Sequence, residues 1–269
     1  MSKMKFMPEG WSEINLNSGL NLDNVQDYID NNEILQGYVN KCDENFNLHV
    51  DLGNGIKGII PRKEVEGINI GEEGLPKVNL CTGKVHKLIQ FKITDVNKDN
   101  ELQLSRKQVQ QEAIKWVKNE LKPGQMVKGI VKNIQNYGAF VEIGGGVVGL
   151  VHIEDLSVAR IKSPSERLKI GQKIDIMVKS IDRNTGKVIL SYKETLGTWE
   201  ENSKKFEVGT RIKGIVRETE KNKNGIFVEL TPNLVGMAEY KEGLEYGQEV
   251  DVYVKKIDTE KKKVKLLFV

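Results

Sequence analysis

Cysteine is scarce in this chain: Cys42 and Cys81 are the only two in 269 residues. That scarcity excludes a disulfide-stapled secreted scaffold, which needs several pairs. A metal set is excluded too, because Cys42, His49, Cys81 and His86 do not pair at short ligand spacing. Both cysteines are expected to be buried thiols in a reducing cytoplasm. Long apolar runs are missing, so no membrane-crossing helix is predicted. The first thirty residues carry Glu9, Glu13, Asp23, Asp27 and Asp30 and no apolar stretch, so no secretion signal is expected. Neither sign of charge dominates: 41 basic against 38 acidic side chains leave +3, and only their distribution informs. Aromatic residues make up just 6% of the chain, so the placement of each one matters.

What is present is an internal repeat. Gly124 opens GQMVKGIVKNIQNYGAFVEIGGGVVGLVHIEDL, continued by IGQKIDIMVKSIDRNTGKVILSYKE. Gly209 opens GTRIKGIVRETEKNKNGIFVELTPNLVGMAEY, continued by YGQEVDVYVKKIDTEKKKVKLLF. A looser copy joins ILQGYVNKCDENFNLHVDLGNGIKGIIP to GKVHKLIQFKITDVNKDNELQLSRK. Each copy has about five short β-rich runs separated by turn residues. A meander of that size hides its edges only by curling into a barrel. The reading is therefore an N-terminal extension over 1–33 with a short helix, barrels over 34–107, 124–195 and 207–269, and linkers over 108–123 and 196–206.

The linkers look helical. Val109, Ala113, Trp116 and Val117 stand at helical spacing, and Pro123-Gly124 ends the run. The shorter linker carries Trp199, and both tryptophans are expected to staple neighbouring barrels. Before residue 34, Leu22, Val25, Tyr28 and Ile29 mark one face of the short helix. The second copy also carries an insertion, SVARIKSPSERLK, in which Ser163, Pro164 and Glu166 supply an N-cap, a first-turn proline and a capping-box partner.

One residue breaks the alternation of the second copy. Ala139, Val141 and Ile143 share a strand face that must be the barrel interior, so Phe140 and Glu142 point outward. A bulge at Gly138 is expected to bring Tyr137 to the same outer face. His152, ending the next strand, falls beside Phe140 across the hairpin. Tyr, Phe and His on one face form a stacking platform for bases, at about 1–3 kcal/mol per base. The competing reading packs Tyr137 and Phe140 against a linker helix or a neighbouring barrel, and a lone His152 would ordinarily be structural. Their coincidence beside a basic turn favours nucleic acid.

With these residues, and above all YGAFVEIGGGVVGLVHIEDL, the second copy resembles the RNA-binding S1 domain over residues 124–195. The resemblance implies an all-β fold of three tandem five-stranded OB-fold (S1-type) barrels joined by short helical linkers. In that family two aromatics flanking Gly-Ala, a histidine and an acidic and a basic residue at the last turn form the RNA face. Those roles fall here on Tyr137, Phe140, His152, Asp182 and Lys187. In the third copy Phe227, Asp258 and Lys263 keep their positions, but Asn224 replaces the first aromatic and Glu239 the histidine, whose carboxylate would repel phosphate. The first copy departs furthest, with Phe46 near the first aromatic position and His49, Pro61 and Asn97 at the others. Charge agrees: residues 124–195 hold eleven basic against seven acidic side chains, or +4, and 105–123 hold five against two, or +3. Residues 207–269 hold twelve against eleven, and 34–104 nine against ten.

Other motifs are weaker. Gly144, Gly146 and Gly149 match G-x-G-x-x-G, but strands flank them on both sides, so they serve a hairpin and no dinucleotide. TGKV at 82–85 and 185–188 lacks the upstream glycine of a phosphate loop. EKKKVK at 260–265 reads equally as a basic patch or a solvated turn. His152 and Asp182 are the one titratable pair placed near each other, without an oxyanion device or metal ligand, so no catalytic residue and no cofactor is expected. The resemblance implies a cytoplasmic protein that holds single-stranded RNA, in translation or RNA metabolism, with the small ribosomal subunit as a second partner. The alternative is an adaptor that grips the ribosome or RNA polymerase through its degenerate barrels.

Overall fold

The computed structural model describes residues 5–11, 17, 19–68, 70–71, 73–98, 100–219 and 225–269. The first barrel is built from β1 (Leu35–Cys42), β2 (Leu48–Gly53), β3 (Ile56–Ile60), β4 (Leu88–Val96) and β5 (Leu102–Ser105). The second uses β6 (Met126–Gln135), β7 (Gly138–Gly144), β8 (Val147–His152), β9 (Lys173–Ile181) and β10 (Val188–Ser191). The third uses β11 (Arg211–Thr219), β12 (Ile226–Thr231), β13 (Leu234–Ala238), β14 (Glu249–Asp258) and β15 (Lys263–Phe268). Each set closes on itself. In every barrel the third and fifth strands pair in parallel, and the remaining pairs are antiparallel. The five strands and the closure are as expected, but the parallel pair makes each barrel a Greek key and not the simple meander that the turn spacing predicts.

Alternation decides what goes inside. Ala139, Val141 and Ile143 are buried with Val127 and Val131 of β6, Val151 of β8, Ile176 and Val178 of β9 and Leu190 of β10. The parallel pair brings the third strand hard against the fifth. A Cβ at Gly58, Gly149 or Gly236 would lie 2.7, 2.6 or 2.5 Å from Leu104, Leu190 or Leu266, so only glycine fits. The first strand of each barrel is interrupted by one extra residue: Asn40, Lys132 and Arg217.

Helix Arg106–Asn119 begins directly after β5, where the Ser105 hydroxyl accepts the backbone N–H of Gln108. Its Val109, Ala113 and Val117 are buried in the core of the second barrel. Trp116 lies 5.4 Å from the ring of Phe6, so it fastens the N-terminal segment to that core. Trp199 opens the short helix Trp199–Ser203 and packs on the core of the third barrel. The insertion forms a single 3-10 turn, Pro164–Glu166, with both capping-box bonds from Ser163 and Glu166 in place. Two expectations are corrected. In the N-terminal helix Val25, Tyr28 and Ile29 pack on the first barrel, but Leu22 is exposed, because it lies in the 3-10 turn before the helix and off its inner face. Cys42 is half-buried at the end of β1, and only Cys81 is fully enclosed.

The barrels meet through buried ions. Between the first and second, Glu9 accepts Arg106 at 2.5 Å and Lys84 at 2.7 Å, and Glu66 accepts Arg106 at 3.0 Å. Lys132 holds Glu142 at 2.9 Å, and the Glu9 backbone N–H donates to Glu142. Between the second and third, Arg167 and Arg217 share Glu229 at 2.6 and 2.5 Å, and Arg217 also reaches Glu166.

Candidate nucleic-acid interface

The outer face of the second barrel begins at a tight turn. Gln135 pairs with Gly138, so Asn136 and Tyr137 form a two-residue hairpin loop between β6 and β7. Tyr137 reaches the outer face from that loop. The bulge expected at Gly138 is instead at Lys132, between Val131 and Asn133 of β6. Gly138 has a different duty: a Cβ there would sit 2.2 Å from the Val151 carbonyl oxygen, so glycine lets β7 and β8 close up. Paired residues of an antiparallel ladder share a face. His152 pairs with Gly138 and Leu150 with Phe140, which puts His152 one diagonal step from Phe140 on the same side.

Tyr137 is 51% exposed and the His152 side chain 47%, while Phe140 is half-buried. The Tyr137 and Phe140 rings lie 6.2 Å apart at 86°, an edge-to-face pair that holds the two planes in a fixed mutual orientation. Sequence reasoning missed two neighbours. Leu150 and Ile189 pair across β8 and β10 and are both half-buried, so they extend the apolar strip sideways from Phe140. Period-two counting along GLVHI and VILS would have found them.

Asp182 and Lys187 frame the β9–β10 turn at the other end of the face. The Asp182 carboxylate accepts the Thr185 hydroxyl at 2.5 Å and the backbone N–H groups of Asn184 and Thr185. The Thr185 hydroxyl bond, joined by those N–H bonds, holds its carboxyl below the usual range. Asp182 thus closes the turn. Asp258 does the same in the third barrel through the Lys261 N–H, and Asn97 in the first through the Glu101 N–H. Lys187 is exposed and has no ion pair among the described residues. Arg183 is spent elsewhere, donating to the carbonyls of Val117, Lys118 and Leu121 at the end of the linker helix.

The other two barrels differ at the same register. In the first, Arg62 lies 5.0 Å over the Phe46 ring, and His49 bonds Asp43 at 3.2 Å, so its own side chains occupy the face. In the third, Phe227 is half-buried opposite Met237, with Lys263 exposed at the turn. Asn224 lies outside the described residues. Among the described residues no helix is long and apolar enough to cross a membrane.

Comparison with known proteins agrees with this geometry. The family described as S1 RNA binding domain matches residues 28–107 and 120–193. The first barrel is matched along its length. The small ribosomal subunit protein bS1 of Staphylococcus aureus (strain MRSA252) is 33% identical over 259 residues, covering 90% of this chain and 63% of that protein. The bS1 protein of Pseudomonas aeruginosa is 33% identical over 255 residues, covering 87% of this chain and 43% of its own length. That of Rhizobium meliloti is 32% identical over 235 residues, covering 81% and 39%. The chain therefore spans less than two thirds of each of these relatives. Repeat, barrel closure and matched residues together make this chain a member of the S1 RNA binding domain family.

Proposed function

We propose that the chain holds single-stranded RNA on the outer face of its second barrel, as a binder and not an enzyme. Bases stack on Tyr137, Phe140 and His152, and Lys187 meets the phosphate backbone. The supporting observation is the edge-to-face pair of the exposed Tyr137 and the half-buried Phe140, 6.2 Å apart, on the side of the sheet that also carries His152. Stacking needs a flat apolar surface and no particular base, so little sequence preference is expected. Phe227 and Lys263 give the third barrel a weaker copy of the face. The first barrel, with Arg62 over Phe46 and His49 tied to Asp43, is read as a docking element, and the bS1 relatives suggest the small ribosomal subunit as what it docks on and translation as the setting.

The test is fluorescence anisotropy with a labelled single-stranded RNA. Phe140→Ala with His152→Ala removes two stacking surfaces, so affinity should fall at least tenfold, since each base stack is worth about 1–3 kcal/mol. Affinity of the unaltered chain should also fall as salt rises. Unchanged binding by the double variant overturns the site.

A further inference from the structure

The insertion in the second barrel reaches the third. The backbone N–H of Ala159 donates to the Pro232 carbonyl at 2.9 Å, and that of Val158 to the Asn233 side-chain oxygen at 3.2 Å. This clamps the segment onto the β12–β13 turn and turns two side chains outward: Val158 is 57% exposed and the Arg160 side chain 78%. Arg160 spans to Glu218, donating to both carboxylate oxygens at 2.9 and 3.0 Å. Glu218 is the register partner of Phe227. Val158, Arg160, Glu218 and Phe227 thus line a cavity of about 350 Å³, within the size range of small-ligand pockets.

A second cavity, about 620 Å³, also borders Val158 and Arg160 and is lined by Ile153 and Glu154 as well. Ile153 directly follows His152. The two cavities share Val158 and Arg160 in their linings, and between them they reach from Ile153, next to the stacking face at the end of β8, to the ring of Phe227.

The chemistry of the far cavity suits a nucleotide. Phe227 supplies a ring and Val158 an apolar wall. Arg160 supplies a guanidinium whose present partner is an exposed carboxylate, a pairing weak enough to be exchanged for a phosphate. Glu218, once released, is an acceptor for a base N–H group, such as N3–H of uracil. Arg217 borders the same space but is committed to Glu229 and Glu166.

We propose that Val158, Arg160 and Phe227 form a nucleotide site shared by two barrels, which carries the RNA held on the second barrel onward to the third as one continuous strand. The inference rests on the RNA face assigned above. It is tested with two labelled oligouridylates, about 5 and about 25 nucleotides long, the first near the lower end and the second beyond the upper end of the site sizes for a single barrel of this type, roughly 4–16 nucleotides. Both are titrated against the full chain and its Arg160→Glu, Phe227→Ala and Lys169→Glu variants. Lys169 is exposed on the same insertion and outside both cavities, so Lys169→Glu imposes the same change of charge as Arg160→Glu. Arg160→Glu and Phe227→Ala should each weaken the longer oligomer five- to tenfold and leave the shorter one within twofold, with Lys169→Glu within twofold for both. Equal losses for Arg160→Glu and Lys169→Glu, or none for Arg160→Glu, overturn the shared site while RNA binding by the second barrel stands. Failure of the unaltered chain to bind either oligomer overturns both.

Discussion

The two joints between barrels use one register position in two ways. Glu142 lies opposite Val148, and Glu229 opposite Val235, at equivalent points of their hairpins. Each is held by the bulge residue of the preceding strand, Lys132 or Arg217. In the first joint a third party enters: the N-terminal segment brings Glu9 and Phe6 between the barrels, and the linker helix adds Arg106 and Gln110. Glu9, Glu66 and Glu142 face Lys84, Arg106 and Lys132, three of each sign, and are nearly all out of water. In the second joint the barrels touch directly, and Arg167 from the insertion joins Arg217 on Glu229. The first barrel has Asn40 and Asp51 at these positions, both exposed. An outward carboxylate and a bulge cation are therefore the means by which a barrel receives what lies on top of it, and burial sets how firmly.

The largest effect should come from breaking the deeper joint. Arg106→Ala leaves Glu9 and Glu66 buried with fewer counter-charges, and removing one partner of a buried pair costs about 3–5 kcal/mol. Because the linker helix is packed into the second core and its Arg106 is bonded to the first barrel, calorimetry of the unaltered chain should show those two barrels melting together. In the Arg106→Ala variant that transition should move down and split. A single unshifted transition would mean that the ions add nothing to the coupling.

Acid titration sharpens the same joint. Burial pushes the Glu9 carboxyl up, but the charges of Arg106, Lys84 and Lys132 outweigh it and hold it far below the usual range. Burial and then the charge of Glu9 push Glu142 above that range, against Lys132. A depressed acid stabilises above its unfolded value, about 4.3, and loses that contribution as pH falls through its folded value. Glu9→Gln should thus cost about 2–3 kcal/mol at pH 7 and keep that deficit down to about pH 4. A raised acid works oppositely, losing stability as pH rises from about 4.3 through its folded value. The deficit of Glu142→Gln should therefore shrink as pH goes from 4 to 7. Parallel pH profiles for the two variants would refute the assignment.

Much of this was legible in the sequence, and the remainder was hidden for a definite reason. Strand alternation marked Phe140 as outward, and the repeat marked three barrels, because both depend on local spacing. The bulge was misplaced because Gly138 signals it, while the real cause of that glycine is the Val151 carbonyl against it. Resemblance assigns Asp182 to the RNA face, and the structure gives its carboxylate a second duty in closing its own turn, as the Asn97 side chain does in the first barrel without charge. The ion clusters could not be read at all. Glu9, Arg106 and Glu142 are far apart in sequence, and nothing local distinguishes them from the solvated members of the charged residues that make up 29% of the chain.

The shallower joint gives the smallest effect and the sharpest comparison. Arg167 donates to Glu229 at 2.6 Å and to the Ser157 hydroxyl at 3.1 Å. Arg167→Ala removes both bonds, but Glu229 keeps Arg217, and Ser157 still donates to the Ala159 carbonyl. No carboxylate is left bare, so the cost should be about 1 kcal/mol, that of an ordinary hydrogen bond. It should appear in calorimetry as a small downward shift of the transition belonging to the third barrel. A loss as large as that of Arg106→Ala would mean that the two joints are equally deep, and that the insertion, not the paired Arg217 and Glu229, holds the third barrel in place.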